Sequence, residues 1–173
     1  SRAHLSLGRA LLAADRHDAA IAALRTALSL CPNEPTNGVR GEALSFLGNA
    51  CADLGRHEEA LGFFDTMSLG DQEAPNNLFN RALSELHAGR YDEAWLHYES
   101  RWDVAGFSPK PVGRTIPDLD NLAGKTVLVV AEQGMGDCFM LARYIPLLAE
   151  RGARVVVSAY ESLVSIMRTV PGV

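Results

Sequence analysis

The feature that most restricts this chain is a turn signature that occurs three times: Asp15-Arg16-His17-Asp18-Ala19-Ala20, Gly55-Arg56-His57-Glu58-Glu59-Ala60 and Gly89-Arg90-Tyr91-Asp92-Glu93-Ala94. The three superimpose without gaps, and their final alanines are separated by 40 and then 34 positions. A period of this length means that helix–turn–helix units stack on one another, because no single unit buries its apolar face alone. In the same register a small residue recurs at Gly8, Gly48 and Ala82, and a large one at Leu24, Phe64 and Tyr98. Antiparallel helices approach closely only where a side chain is nearly absent, and the large residue fills the space beside the crossing. Helices are therefore expected over 2–14, 17–30, 40–54, 57–69, 75–88 and 91–104, with Gly55 and Gly89 at left-handed helix ends. The excess length of the first interval falls in Pro32 to Arg40, a turn-rich stretch with Asn33, Pro35, Asn37 and Gly38.

Leu7-Gly8, Ala20, Leu24, Ala27 and Pro32, together with Leu47-Gly48, Ala60 and Phe64, resemble the tetratricopeptide consensus, whose period is 34 residues. The resemblance covers residues 1–104, read as a domain of three helical hairpins. Met67 and Arg101 stand where Ala27 is small, and Glu85 stands where Leu11 is apolar, so the third repeat is the most altered. Stacked hairpins make a solenoid whose first helices line a groove, with Arg2, Arg9, Glu42, Asn49, Asn76 and Phe79 as candidate contacts for a protein or peptide. Polar residues at such positions are also what any solvated helix face carries. Trp95, Tyr98 and Trp102 have the spacing of a buried helix face and read as core. His17, His57 and Tyr91 share one repeat position, which favours packing at the turn over metal ligation, and His4, His87 and His97 have no ligand spacing.

From 105 to 123 the helical period disappears. Gly106, Pro109, Pro111, Gly113 and Pro117 form a connector that cannot continue a helix. Lys125 to Ala131 is then a continuous β-branched run suited to a parallel strand covered on both faces, and Arg154 to Ser158 is a second. Helices are expected over Cys138 to Arg151, bent at Pro146, and over Glu161 to Thr169. The order β-α-β-α marks the opening of an open parallel sheet over 124–173, so the fold class is an α-helical solenoid followed by the first unit of a Rossmann-like α/β domain. Two strands fall short of a complete sheet of that kind, and the domain reads as truncated at Val173. Gly134 and Gly136 are expected to permit a tight strand-to-helix turn at the carboxyl edge, where α/β domains bind ligands. Neither the dinucleotide fingerprint nor a phosphate P-loop is present: Phe139 takes the third glycine position, and no Gly-Lys-Ser/Thr follows.

Leu122-Ala123-Gly124-Lys125, Glu132-Gln133-Gly134-Met135-Gly136-Asp137, Ala142-Arg143-Tyr144-Ile145-Pro146-Leu147-Leu148 and Gly152-Ala153-Arg154-Val155 resemble repeat-bearing bacterial glycosyltransferases of the heptosyltransferase group, glycosyltransferase family 9. The resemblance covers residues 75–173. Cys138 departs from the hydroxyl residue expected after the aspartate, and the Trp-x-Gly expected before Leu122 is absent. The resemblance implies a two-lobed GT-B enzyme whose first lobe receives the acceptor and whose second lobe, outside this chain, binds the nucleotide-sugar donor. It further implies transfer of the sugar to an acceptor hydroxyl of a glycan or protein with inversion, and no activity for this segment alone. Asp137 matches the family's proposed general base, and Glu132, Gln133, Gly134, Met135 and Gly136 form the substrate-binding turn around it. The same aspartate also reads as a helix N-cap that needs no catalysis to explain it, and Glu132 is the other candidate base. The competing function is a non-catalytic adaptor whose repeats bind a peptide.

Composition removes other classes. A net charge of −5 and a pI near 5.5 leave no basic stripe for nucleic acid. No apolar run reaches the roughly 20 residues of a membrane span. Cys31, Cys51 and Cys138 are widely spaced and odd in number, which fits a reducing cytoplasm and no metal or cofactor. Asp118-Leu119-Asp120 has the form of a metal-binding acidic pair, but its place in the connector fits a solvated loop or short cap.

Overall fold

The computed structural model describes residues 1–32, 38–104 and 119–173. Asn33, Pro35 and Asn37 of the inter-repeat stretch, and Gly106, Pro109, Pro111, Gly113, Pro117 and Asp118 of the connector, lie outside the described residues. The chain divides into two compact units, Ser1–Gly106 and Phe107–Val173.

In the first unit α1 (Arg2–Ala13) pairs with α2 (His17–Ser29), and α3 (Val39–Asp53) pairs with α4 (His57–Asp65). A single turn, α5 (Leu69–Gln72), precedes the third hairpin, α6 (Pro75–His87) and α7 (Tyr91–Tyr98), which a 3-10 turn extends over Glu99–Asp103. The helix expected over 57–69 stops at Asp65; the Thr66 hydroxyl donates to the Gly62 and Phe63 carbonyls, and Ser68 then caps α5 by accepting the Asp71 N–H at 3.3 Å. Each first helix closes in the same way. Asp15, Gly55 and Gly89 take φ of 55°, 73° and 78°, and the N–H groups of Arg16, Arg56 and Arg90 reach the carbonyls of Leu11, Cys51 and Glu85 at 2.9, 2.8 and 2.9 Å.

The rest of the turn signature joins neighbouring repeats. Arg56 donates to Asp18 at 3.4 Å and Arg90 to Glu58, so each arginine pairs with the acid of the preceding signature. Both pairs are exposed and contribute about 0–1 kcal/mol each. His17 Nε2 lies 3.3 Å from Asp53, while the His57 ring stacks on His87 with centroids 4.5 Å apart. Asp53 and His87 each end the first helix of the following repeat, so the histidine position makes an inter-repeat contact.

Leu5, Leu24, Leu44, Leu47, Leu61 and Phe64 belong to one buried cluster spanning the first two hairpins. A Cβ on Gly8 would lie 2.5 Å from Leu24 Cγ, and one on Gly48 would lie 2.7 Å from Phe64 Cζ, so both glycines are required by close approach. Trp95 corrects the expected core stripe: it is 57% exposed, whereas Ile21 and Leu61 in the same register are 6% and 1% exposed. Those two pack in the cluster between successive hairpins, and no further hairpin follows α7 among the described residues. Trp102 is half-buried, with the buried Arg101 guanidinium 4.2 Å from its ring and 4.9 Å from that of Tyr98.

Cys51 carries a pH dependence. Burial first, and the charge of Glu59 next, push its thiol up from 9.0 to about 11, against the opposing charges of Arg56 and Arg25. Above the unfolded value the unfolded chain sheds a proton that the folded one keeps. Stability from this group is thus intact below 9.0 and falls as pH rises toward 11. Urea midpoints measured across that window are expected to decline in the native chain and to flatten in Cys51→Ala; equal slopes would show that Cys51 is not the group responsible.

In the second unit β1 (Thr126–Val130) pairs in parallel with β2 (Arg154–Ser158), Leu128 facing Val156 in register. The intervening chain forms α8 (Met135–Ala142) and α9 (Ile145–Glu150), and after β2 come a 3-10 turn (Glu161–Leu163) and α10 (Val164–Met167). The expected single helix from Cys138 starts earlier, at Met135, and breaks at Arg143-Tyr144. Pro146 offers no N–H to the preceding turn and sits instead in the first turn of α9. Cys138, Leu163 and Met167 pack with Ala142 and Val157 on one side of the sheet. The expectation of strands buried on both faces is corrected: Leu128 is 53% and Val156 41% exposed, since the described helices cover the face of Val127 and Val155 but not the opposite one. No described helix is long and apolar enough to cross a membrane.

Candidate functional site

All six residues of the expected substrate turn lie where β1 passes into α8. The left-handed position that the turn needs falls on Gln133, with φ of 61°, and not on either glycine. Gly134 is the N-cap of α8 with φ of −84°, and a side chain on Gly136 would meet open space. The expectation that the glycines permit the turn is therefore corrected. At Gly134 the reason for glycine is room: a Cβ would come within 3.1 Å of Asp137 Oδ2.

Asp137 occupies the third position of α8 rather than its cap, which corrects the N-cap reading. Its Oδ2 accepts the Gly134 N–H at 3.1 Å, satisfying one of the helix's orphan donors from inside the first turn. This is half of a capping box, because Gly134 has no side chain to return a bond. A carboxylate has about four acceptor positions on its two oxygens, so the cap leaves capacity for a ligand hydroxyl.

Asp137 and Glu132, both half-buried, line a cavity of about 140 Å³ at the carboxyl ends of the strands, whose walls include Val130, Cys138, Leu141 and Met167. The wall is apolar and its charged groups are both acidic, which suits a neutral or cationic ligand end bearing a donor better than a phosphate. Cys138 is raised above its ordinary thiol range by burial and then by Asp137, which keeps it protonated and unsuited to nucleophilic attack. Gln133 and Gly136 are exposed, and Met135 is 55% exposed outside this cavity. Sequence reasoning missed Tyr160, whose hydroxyl donates to the Gln133 carbonyl at 2.8 Å from the loop after β2. A tyrosine two residues beyond a strand end was the available signal.

In the first unit, α1 adjoins α3 and α3 adjoins α6, so the first helices form a continuous row. Arg2, Glu42 and Asn76 hold one register position of that row and are exposed; Arg9 and Asn49 share another, the first exposed and the second half-buried. Arg9 places its guanidinium 5.5 Å over the ring of Phe46, which links two repeats and was not among the expected groove residues. Phe79 is half-buried and packs its ring 5.4 Å from Tyr98, so its face is engaged within the third hairpin. Ser45 donates to Asn77 at 2.7 Å between the second and third hairpins.

One hairpin, one closing turn and one small-against-large crossing recur in this part. Residues 1–66 match the tetratricopeptide repeat. The tetratricopeptide hairpins are a protein-interaction architecture, and the third hairpin repeats their geometry beyond the matched stretch. Among curated proteins the chain is similar to protein FlbA of Caulobacter vibrioides, at 35% identity over 106 residues, which is 57% of this chain and 17% of that protein. The chain thus spans about a sixth of the length of that relative. No solved structure matches.

Proposed function

We propose that this chain joins a protein- or peptide-binding tetratricopeptide array to the acceptor side of a sugar transferase. The observation that carries the reading is the Asp137 carboxylate, which accepts the Gly134 N–H and, with Glu132, lines a cavity with otherwise apolar walls at the carboxyl ends of two parallel strands. In the proposed reaction the carboxylate takes the proton of an acceptor hydroxyl, and that oxygen forms a bond to the anomeric carbon of a nucleotide-sugar. The bond to the nucleoside diphosphate breaks on the opposite side, the diphosphate leaves with the electron pair, and the anomeric centre inverts. The donor would be held by a second lobe outside this chain. The cavity is well below the roughly 300 Å³ of a whole ligand site, which fits reception of the reacting end of an acceptor only.

The groove row of Arg2, Arg9, Glu42, Asn49 and Asn76, with Phe46, would present the acceptor protein or a recruiting partner. The match of residues 1–66 to a protein-binding repeat equally fits a non-catalytic adaptor. The two readings separate in the full-length protein, incubated with a panel of nucleoside-diphosphate sugars and assayed by product mass. Transfer that falls about 10²–10⁴-fold in Asp137→Asn is expected. Partner capture with no transfer, or transfer unchanged in Asp137→Asn, would remove the catalytic assignment.

A further inference from the structure

The β1–α8 turn is held in place by the neighbouring loop. Gln133 is one of two non-glycine residues with a left-handed backbone among the described residues, the other being Asp15 at a helix end. A side chain there crowds its own backbone, so the conformation persists only when its surroundings impose it. Two contacts reach the turn from the segment after β2: Tyr160 donates its hydroxyl to the Gln133 carbonyl at 2.8 Å, and Ser162 places its hydroxyl 3.7 Å from the Met135 sulfur. They bracket Gly134, whose N–H is the one that holds Asp137. Tyr160 is fixed for this task by extended backbone, φ −58° and ψ 142°, at the cap of the 3-10 turn.

We infer that Tyr160 is a positioning residue: by anchoring the Gln133 carbonyl it fixes the peptide that follows, and thereby aims the Gly134 N–H at the Asp137 carboxylate. The inference rests on the reading of Asp137 as the working carboxylate, but its test does not. The bond goes to a backbone carbonyl, so it requires the hydroxyl of Tyr160 and not a particular side chain at 133. Glycine at 133, in contrast, would adopt the left-handed conformation without the anchor.

The test is the protection of the Gly134 amide against hydrogen exchange at one fixed pH in the ¹⁵N-labelled 173-residue chain. In the native chain this amide is protected by its bond to Asp137, and in Asp137→Ala the protection is lost. Tyr160→Phe keeps the ring and is expected to cut the protection at least about twofold, with Tm lowered by no more than about 4 °C. Gln133→Gly in the Tyr160→Phe background is expected to restore the protection, which a general packing defect would not allow. Unchanged protection in Tyr160→Phe, or no recovery in the double variant, overturns the inference. Loss of the transferase reading would appear separately, as transfer by the full-length protein that is indifferent to Asp137→Asn.

Discussion

Phe64→Ala is expected to lower the stability of the helical unit by about 3–5 kcal/mol, read from urea unfolding followed by helical circular dichroism. The side chain is 2% exposed and its ring tip rests directly on the backbone of Gly48 in the opposing helix. Truncation therefore removes buried area and leaves a cavity between backbones that the other helices of the array hold apart. The complementary change, Gly48→Ala, adds a methyl 2.7 Å from the ring. That overpacking costs about 1–3 kcal/mol, offset in part by the helix propensity of alanine, worth about 1 kcal/mol. In the double variant the new methyl occupies space the ring has vacated, so the combined loss is expected to fall short of the sum by about 0.5–3 kcal/mol. Additivity within about 0.5 kcal/mol would show that ring and glycine do not meet in solution.

That coupling was legible before any coordinates because it repeats: Gly8 with Leu24 and Gly48 with Phe64 are the same crossing drawn twice. Repetition also exposed the left-handed helix ends at Gly55 and Gly89; Asp15, which takes the same position in the first repeat, was not among those expected. Features without a copy elsewhere were harder to read. Nothing periodic announces that Ser68 starts a separate turn or that Trp95 faces outward, since its burial depends on what stacks on the array and not on its own helix. The candidate site shows the same limit. The Gln-Gly-Met-Gly-Asp motif located the turn, but glycine content pointed to the wrong residue for the unusual backbone. At Gln133, outside any repeated helix end, the positive φ follows from tertiary constraint by Tyr160, which lies 27 positions away in sequence.

The largest electrostatic effect is expected at Glu85, which occupies the position of Leu11 and Cys51 in the other repeats and is 1% exposed. Its carboxylate accepts from Arg81 Nε at 2.8 Å and from His97 Nδ1 at 2.8 Å, and Arg81 also donates to Asp65 at 2.7 Å, so the group ties α4, α6 and α7 together. Burial works against the Arg81 charge, but the bonds it donates to Glu85 and Asp65 outweigh that and hold the guanidinium above its ordinary range. Glu85→Ala strips Arg81 and His97 of their shared acceptor and opens a hole in the hairpin, with an expected cost of about 3–5 kcal/mol. The cost of breaking the network differs from its net worth, because desolvating the charges offsets most of what their pairing returns. The triple variant Arg81→Met, Glu85→Leu, His97→Leu, which restores the apolar residue of the other repeats, is therefore expected to match the native chain or exceed it by about 1–4 kcal/mol in urea unfolding. If the triple variant proves as unstable as Glu85→Ala, the buried ions contribute net stability, and the third repeat is held by charge where the first two are held by packing.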